Sequence, residues 1–425
     1  MYLPDTDTLP LRPPRAAQTP ASPPLAPARP LRVLWLAPYP YSYTPTTHPV
    51  PWVVSLAQRL AARPAEVDLT IVNWEETLRT DEEHYEQDGL HFVFLRTPRT
   101  RHDILTLYRW RVAVVARWLR RHYRHYDVIH LHGSELQLPA VVAGLPTDEV
   151  PVVLSVQGIV SECVKYVPEL SWYKALWTLA GFYERRYLPH IQHFLCRTHW
   201  DSAHMQRLSP GARIHHNWEM LRPEFYAATR QPLPQPDVAR NPQILFVGGH
   251  QVMKGFREAL ATYARLRPEM PGLQLIVAGH VGAREWAEES RRAGLLDLGP
   301  DDVQCVGNLS AAELVGWMRR CFCLLHPSYI DNSPNSVCEA QMAGLAVVAS
   351  DVGGVSSLVR DDETGLLSSL QPEQLAARVR RLYHDAPLRR RLTIAAQAKA
   401  LRRHHPDTIV QRTVDLYRLL SQGAG

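Results

Sequence analysis

Short apolar and β-branched runs recur along the chain, each separated from the next by a segment of helical periodicity: RVLWLAPYP (32–40), VDLTIVNW (67–74), HFVFLRT (91–97), DVIHLHG (127–133), PVVLSVQG (151–158), HIQHFLCRT (190–198) and RIHHN (213–217). This alternation restricts the fold to βαβ units around a parallel sheet, an α/β architecture. A proline-rich stretch, RQPLPQPDVARNP (230–242), interrupts the pattern. It then restarts with QILFVGG (243–249), LQLIVAG (273–279), VQCVG (303–307), CFCLLHP (321–327) and AVVAS (346–350). With 425 residues, more than one hydrophobic core usually serves, the restart marks a second domain. The expected organisation is a proline-rich disordered arm (1–30), a first Rossmann-like domain (31–225), a linker (226–242), a second Rossmann-like domain (243–402) and a C-terminal helix (403–425) packing back on the first domain. Two doubly wound domains facing each other leave a central cleft at the carboxyl ends of their strands, where open parallel sheets bind ligands.

Composition excludes several classes. A net charge of +5 is too small to argue for a nucleic-acid partner, and 45% apolar with 21% charged residues is typical of globular proteins. Six cysteines without a C-x-x-C pair suit reduced packing residues of a cytoplasmic protein. The arm holds nine prolines in 30 residues and lacks the apolar stretch of a secretory leader. No apolar run reaches the roughly 18 residues needed to cross a bilayer.

The stretch HPSYIDNSPNSVCEAQMAGLAVVASDVGG (326–354) fits the second domain's edge of the cleft. CFCLLHP is the strand and SYIDN the loop. Ser333 before Pro334 reads as an N-cap with proline in the first helical position, and Gly344 as the helix stop. A helix start there presents free N–H groups and a positive dipole end, which favour a phosphate, with Asn335 and Ser336 in its first turn. Asp331 and Glu339 add two carboxylates, each able to accept two hydroxyl hydrogen bonds, as a ribose and a sugar would offer. Neither acid reads as a core residue. In FVGGHQVMKGF (246–256), Gly248 and Gly249 allow close backbone approach, and Lys254, opening the next helix, can neutralise a pyrophosphate. The element matches neither a P-loop nor the G-x-G-x-x-G fingerprint.

These residues carry a resemblance. G-G-x4-K-G, then HPSYIDNSPNSVCEAQMAGLAVVASDVGG and ETGLL (363–367), resemble the C-terminal domain of GT-B glycosyltransferases of family 4, with Asp331 and Glu339 at the spacing of that family's E-x7-E motif. The likeness covers 243–368 and continues through DVIHLHG, PVVLSVQGI (151–159) and CRTHWDS (196–202). It implies a GT-B fold and retaining transfer from a nucleotide-diphosphate sugar to a glycan or lipid-linked acceptor, in cell-surface polysaccharide biosynthesis. It also implies that no metal and no cofactor beyond the donor are needed. By resemblance, Glu339 binds the donor ribose, Asp331 the hydroxyls of the transferred sugar, and Lys254 the diphosphate. Gly248, Gly249, Ser333, Asn335 and Ser336 line the phosphates, and His132 and Gln157 face the sugar or acceptor. Three positions depart from the family: Asp331 replaces a glutamate, Gly249 an arginine, and Gln157 a histidine. Two other readings share the fold, a sugar-nucleotide epimerase and a catalytically weak sugar-nucleotide-binding protein.

His130 and His132 alternate on one strand face without a third ligand for a metal, so His130 reads as structural and His132 as a strand-end residue near the cleft. Residues 101–125 hold seven arginines and one acid, with Leu105, Leu107, Val112, Val115, Trp118 and Leu119 as the apolar component. Such a helix suits an anionic membrane surface at the inner face, and equally a Rossmann helix with a solvated basic side.

Overall fold

The computed structural model describes residues 29–39, 41, 50–169, 171–295 and 302–423. Apart from Arg29 and Pro30, the proline-rich arm lies outside the described residues. Eight strands form the first sheet: β1 (Leu31–Leu36), β2 (Val67–Glu75), β3 (Glu82–Gln87), β4 (Leu90–Arg96), β5 (Val128–His132), β6 (Val152–Ser155), β7 (His193–Cys196) and β8 (Arg213–His216). Their spatial order is β3-β4-β2-β1-β5-β6-β7-β8. The second sheet comprises β9 (Gln243–Val247), β10 (Gln274–Ala278), β11 (Val303–Gly307), β12 (Cys323–His326), β13 (Ala346–Ser350) and β14 (Leu366–Ser368), in the order β11-β10-β9-β12-β13-β14. Pairings are parallel throughout except β3 with β4.

Both orders reverse at a central strand. β1 is flanked by β2 and β5, and β9 by β10 and β12, so each sheet has a topological switch point where a crevice opens beyond the strand ends. The loops after β5, β9 and β12 border these crevices.

The inner strands are covered on both faces, and the edge strands β3 and β11 are partly exposed. One side of the first sheet buries Val33, Trp35, Ile71, Phe92 and Phe94, and the other Leu34, Leu36, Val72, Ile129, Leu131 and Leu154. Two further cores enclose the second sheet, centred on Phe246, Val277 and Leu325 and on Leu245, Leu324 and Val347. Near-continuous apolar strands are what two-sided burial requires.

Helix Pro406–Gln422 joins the first of these cores through Ile409, Val410, Val414, Tyr417 and Leu420, although helix Ala386–Arg403 just before it belongs to the second domain. Tyr417 Oη accepts from Trp35 Nε1 at 2.8 Å and lies 2.6 Å from His130 Nδ1, whose Nε2 meets Ser155 Oγ at 2.7 Å. His130 is therefore fully engaged in structure. Asn217 Nδ2 donates to Ile409 O and Thr413 Oγ1, both at 3.0 Å.

Several expectations need correction. The first domain ends before residue 225, because Leu221 and Phe225 are buried in the second domain's core and helix Pro223–Ala228 packs there. The segment taken as linker is held too, with Val238 in the core around Phe246. Strand β3 (EEHYEQ) carries no apolar run; it is an antiparallel edge fastened by Tyr85 stacking on Phe92 and Phe94. Residues 101–125 form two helices, Thr100–Leu105 and Arg109–His122, broken where Leu107 and Tyr108 take φ of 54° and 63°. The break turns Val115, Trp118 and Leu119 inward and Leu105 and Leu107 outward. Cys305, on edge strand β11, is exposed and not a packing residue.

Candidate active site

At the switch point of the second sheet, the turn Val252–Lys254 follows β9, and the loop 327–334 follows β12. Lys254 Nζ lies 2.6 Å from Asp331 Oδ2, and His326 Nε2 approaches the same oxygen at 3.4 Å. Burial alone would raise the Asp331 carboxyl; Lys254 and His326 outweigh it and hold the group well below the usual carboxylate range. Burial pushes His326 down, so it is a neutral partner fixed by Ser328 Oγ at 3.0 Å. Lys254 precedes the helix Phe256–Leu266 and does not open it: Gly255 intervenes in the left-handed region, φ 77°, packed against Pro327 O.

The two glycines after β9 are needed for packing within the loop. A Cβ on Gly248 would sit 2.7 Å from Lys254 Cβ, and one on Gly249 2.8 Å from His280 N. They seat Lys254 against β9 and the loop after β10.

Helix Asn335–Ala343 begins one residue later than expected. Pro334, with φ −63° and ψ 116°, occupies the N-cap, no side chain caps the helix, and Gly344 in the left-handed region ends it. Ser333 is thus not the cap; it lies half-buried in the loop with Asn335 and Ser336 just beyond. The first backbone donors of the helix therefore face the loop without an intrahelical partner. Ser336 Oγ lies 3.5 Å from His326 Nδ1.

Glu339 is a buried residue, contrary to expectation, with 5% of its surface exposed. Arg222 reaches it with two parallel hydrogen bonds, Nε to Oε1 at 2.8 Å and Nη2 to Oε2 at 2.9 Å. Burial still raises the Glu339 carboxyl, against the pull of Arg222. The sequence gives no cue to this pair, since Arg222 lies 117 residues away, at the N-cap of helix Pro223–Ala228.

Asn332 is a second residue that sequence reasoning missed. Its Oδ1 accepts from Thr198 Oγ1 at 2.7 Å, and its Nδ2 donates to Asp201 Oδ2 at 2.9 Å and to Gln157 O at 3.3 Å. Thr198 and Asp201 form the capping box of helix His199–Leu208, so one amide ties the second domain's loop to a helix start of the first. That T-x-x-D box is legible in CRTHWDS; its use as a docking point is not. Gly354 N donates to Asp331 O at 2.9 Å, and a Cβ on Gly354 would crowd Thr198 at 2.6 Å, so the glycine permits the domains to meet here.

On the first domain's side, Gln157 is held by its carbonyl, which accepts from Arg197 Nη2 at 2.7 Å; Arg197 also pairs with Glu219. His132 is buried, its Nε2 has no hydrogen-bond partner among the described residues, and burial keeps it neutral with help from His130. The structure thus gathers Lys254, Asp331, Ser336 and His326 at one place, sets Glu339 along the adjoining helix, and brings Gln157 to Asn332. His132 lies deeper, in a small cavity with Gln157, Arg197 and Glu219. No group of three or more residues suited to a metal occurs among the described residues.

The family described as Glycosyl transferases group 1 matches residues 233–399, and the Glycosyl transferase 4-like domain matches 49–218. The D-inositol 3-phosphate glycosyltransferase of Acidothermus cellulolyticus is 34% identical over 182 residues, 41% of this chain and 40% of that protein. The chain thus spans less than half the length of the curated relatives it matches. Among solved structures, sucrose-phosphate synthase of Thermosynechococcus elongatus superposes with a TM-score of 0.69 at 20% identity, covering 92% of this chain and 99% of that one. Anabaena Alr3699/HepE, in complex with UDP and glucose, superposes with a TM-score of 0.62 at 17% identity, covering 91% and 99%. With one family domain matched on each sheet and both sheets arranged as in these structures, the chain belongs to the glycosyl transferases group 1 and has the GT-B fold.

Proposed function

We propose that the protein is a retaining, family 4-like glycosyltransferase that moves a sugar from a nucleotide-diphosphate donor to a glycan or lipid-linked acceptor in cell-surface polysaccharide biosynthesis. One observation carries the reading: Lys254 and Asp331, 2.6 Å apart, occupy the switch point of the second sheet beside an uncapped helix start. A cation, free N–H groups and a carboxylate at one crevice match the charge pattern of a sugar diphosphate. In this proposal the diphosphate lies between Lys254 and the backbone of Ser333 to Ser336, and Gly248 and Gly249 keep that approach open. Asp331 accepts from hydroxyls of the transferred sugar. Glu339, oriented by Arg222, retains lone pairs for the ribose. Lys254 and the helix start then stabilise the departing diphosphate, whose oxygen takes the acceptor proton. UDP and glucose, bound by the Anabaena protein, are the first candidates for the donor's parts.

The test is a thermal-shift screen with UDP-glucose, GDP-mannose and ADP-glucose, since a ligand of the native state raises its melting temperature by mass action. Transfer of radiolabelled sugar is then measured for the wild type, Lys254→Ala, Asp331→Ala and Glu339→Ala. Each charged hydrogen bond to the donor contributes roughly 1.5–3 kcal/mol, so losing Lys254 should lower turnover or affinity about tenfold to a hundredfold. A folded Asp331→Ala/Glu339→Ala double variant with wild-type transfer would refute the assignment. Conversion of the donor without any acceptor would favour an epimerase, and binding without either reaction a binding protein.

We also propose peripheral attachment to the inner face of a membrane. No described helix is long and apolar enough to cross a bilayer. Leu105, Leu107 and Trp110 are exposed among the arginines of 101–125, which gives the attachment an apolar edge and a cationic face. Failure to bind anionic liposomes at low salt would remove this part of the proposal.

A further inference from the structure

Opposite Asp331, the loop after β5 carries Glu135, at the switch point of the first sheet. Its side chain folds back over two glycines. Oε1 accepts from Gly158 N at 2.8 Å, and Oε2 lies where a Cβ on Gly133 would stand. Gly133 itself takes φ 94°, which a side chain would resist. The seat is tied to the donor loop, because the peptide before Gly158 supplies Gln157 O, the acceptor for Asn332 Nδ2.

Three acids surround this point, and they differ in what they have left to bind. The charges of Asp331, Glu135 and Glu184 all reach the Cys163 thiol between them. Asp331 is paired with Lys254. Glu184 is saturated, accepting from Ser134 Oγ and Val160 N at 2.8 Å, Ser161 N at 3.0 Å and Ser161 Oγ at 2.5 Å. Among the described residues, the Glu135 carboxylate accepts only from Gly158 N and its own backbone N–H; the Gln137 side chain donates to the Glu135 backbone carbonyl at 3.2 Å and leaves the carboxylate alone. A carboxylate has about four acceptor positions, so Glu135 keeps some for a ligand.

We propose that Glu135 is the acceptor-binding residue of the cleft, accepting hydrogen bonds from the hydroxyls of a neutral polyol segment that it presents to the donor sugar. The inference rests on the donor site proposed above. Its chemistry disfavours a phosphate at this position, because no cation among the described residues is hydrogen-bonded to the carboxylate. Burial pushes Glu135 up to about 7, Glu184 adding to the rise and Arg197 opposing it. The group therefore exchanges its proton within the working range, and a protonated carboxyl accepts fewer hydroxyls. Cys163 adds no charge there, its thiol being pushed up to about 12.

Glu135→Ala and Glu135→Gln test this against the wild type, with UDP-glucose as donor and glucose, myo-inositol and glycerol as acceptors. The thermal shift with UDP should be the same in all three proteins, while the acceptor KM rises tenfold or more in Glu135→Ala. In the wild type that KM should also rise as the pH falls from 8 to 6, and in Glu135→Gln it should stay flat. An unchanged KM in Glu135→Ala overturns the inference, as does a UDP shift lost with it, which would make Glu135 a structural residue. A wild type that shifts with UDP but transfers to none of the polyols also overturns it. If the wild type shifts with no sugar nucleotide, the donor reading fails first and this one with it.

Discussion

Arg222→Ala offers the most direct probe of the interdomain cleft, since it removes one partner of a buried ion pair and leaves the other in place. Glu339 is almost wholly buried, with 6% of its side chain exposed, whereas Arg222 retains 23%. Breaking a fully buried pair costs about 3–5 kcal/mol, and the exposure of Arg222 brings the expectation down to roughly 2–3 kcal/mol. For a domain near 200 residues that is a fall of roughly 4–12 °C in melting temperature. The effect has a pH signature. Glu339 already has a raised folded-state pKa, so burial of its ionised form opposes folding as pH rises above the ordinary glutamate value. Without Arg222 the folded pKa rises further. The deficit of Arg222→Ala should accordingly be small near pH 5, where the buried acid takes up a proton, and grow towards pH 8. Thermal denaturation of wild type, Arg222→Ala, Glu339→Ala and the double variant closes a cycle with an expected coupling of about 2 kcal/mol. A coupling under about 0.5 kcal/mol, as an exposed pair gives, or a deficit independent of pH, would refute the reasoning.

Two other substitutions address the scaffold. Tyr417→Phe strands the indole N–H of Trp35 and leaves His130 Nδ1 without its partner, both fully buried, for a loss of about 2–4 kcal/mol; a melting temperature within 1 °C of wild type would contradict it. Gly255→Ala places a Cβ against Pro327 O at φ 77°, so the turn carrying Lys254 must move; the expected result is a loss of at least about 1–2 kcal/mol together with a weakened UDP thermal shift. Retention of both stability and shift would show that the turn tolerates displacement.

The strands of both sheets were legible because two-sided burial demands β-branched runs, which few other arrangements explain. Strand β3 was not, because an edge with one face in water and the other held mainly by Tyr85 needs no apolar run. The break at Leu107 and Tyr108 carries no glycine or proline to announce it. Lys254 and Asp331 stood out through position after a strand and family spacing. Arg222, Asn332 and Glu135 did not, since each acquires its significance from a partner distant in sequence: Glu339, Thr198 with Asp201, and Gly158. For the same reason Glu339 was misjudged as a non-core residue. A carboxylate can be buried when a guanidinium meets it, and the sequence does not show that meeting.

The crossing of helix Pro406–Gln422 back to the first sheet bears on how the molecule comes into being on the ribosome. Residues 31–216 are synthesised first and would ordinarily fold first. Here Trp35, Val33 and His130 face a helix made some 280 or more residues later, so during most of translation that face of the sheet has only helix Pro51–Ala61 as cover and the Trp35 and His130 ring nitrogens lack Tyr417. Meanwhile the second domain, complete by residue 403, can finish first. The earlier-made half should therefore be the chaperone-dependent one, and truncation before Tyr417 should leave a nascent chain whose second domain is protease-resistant and whose first is not.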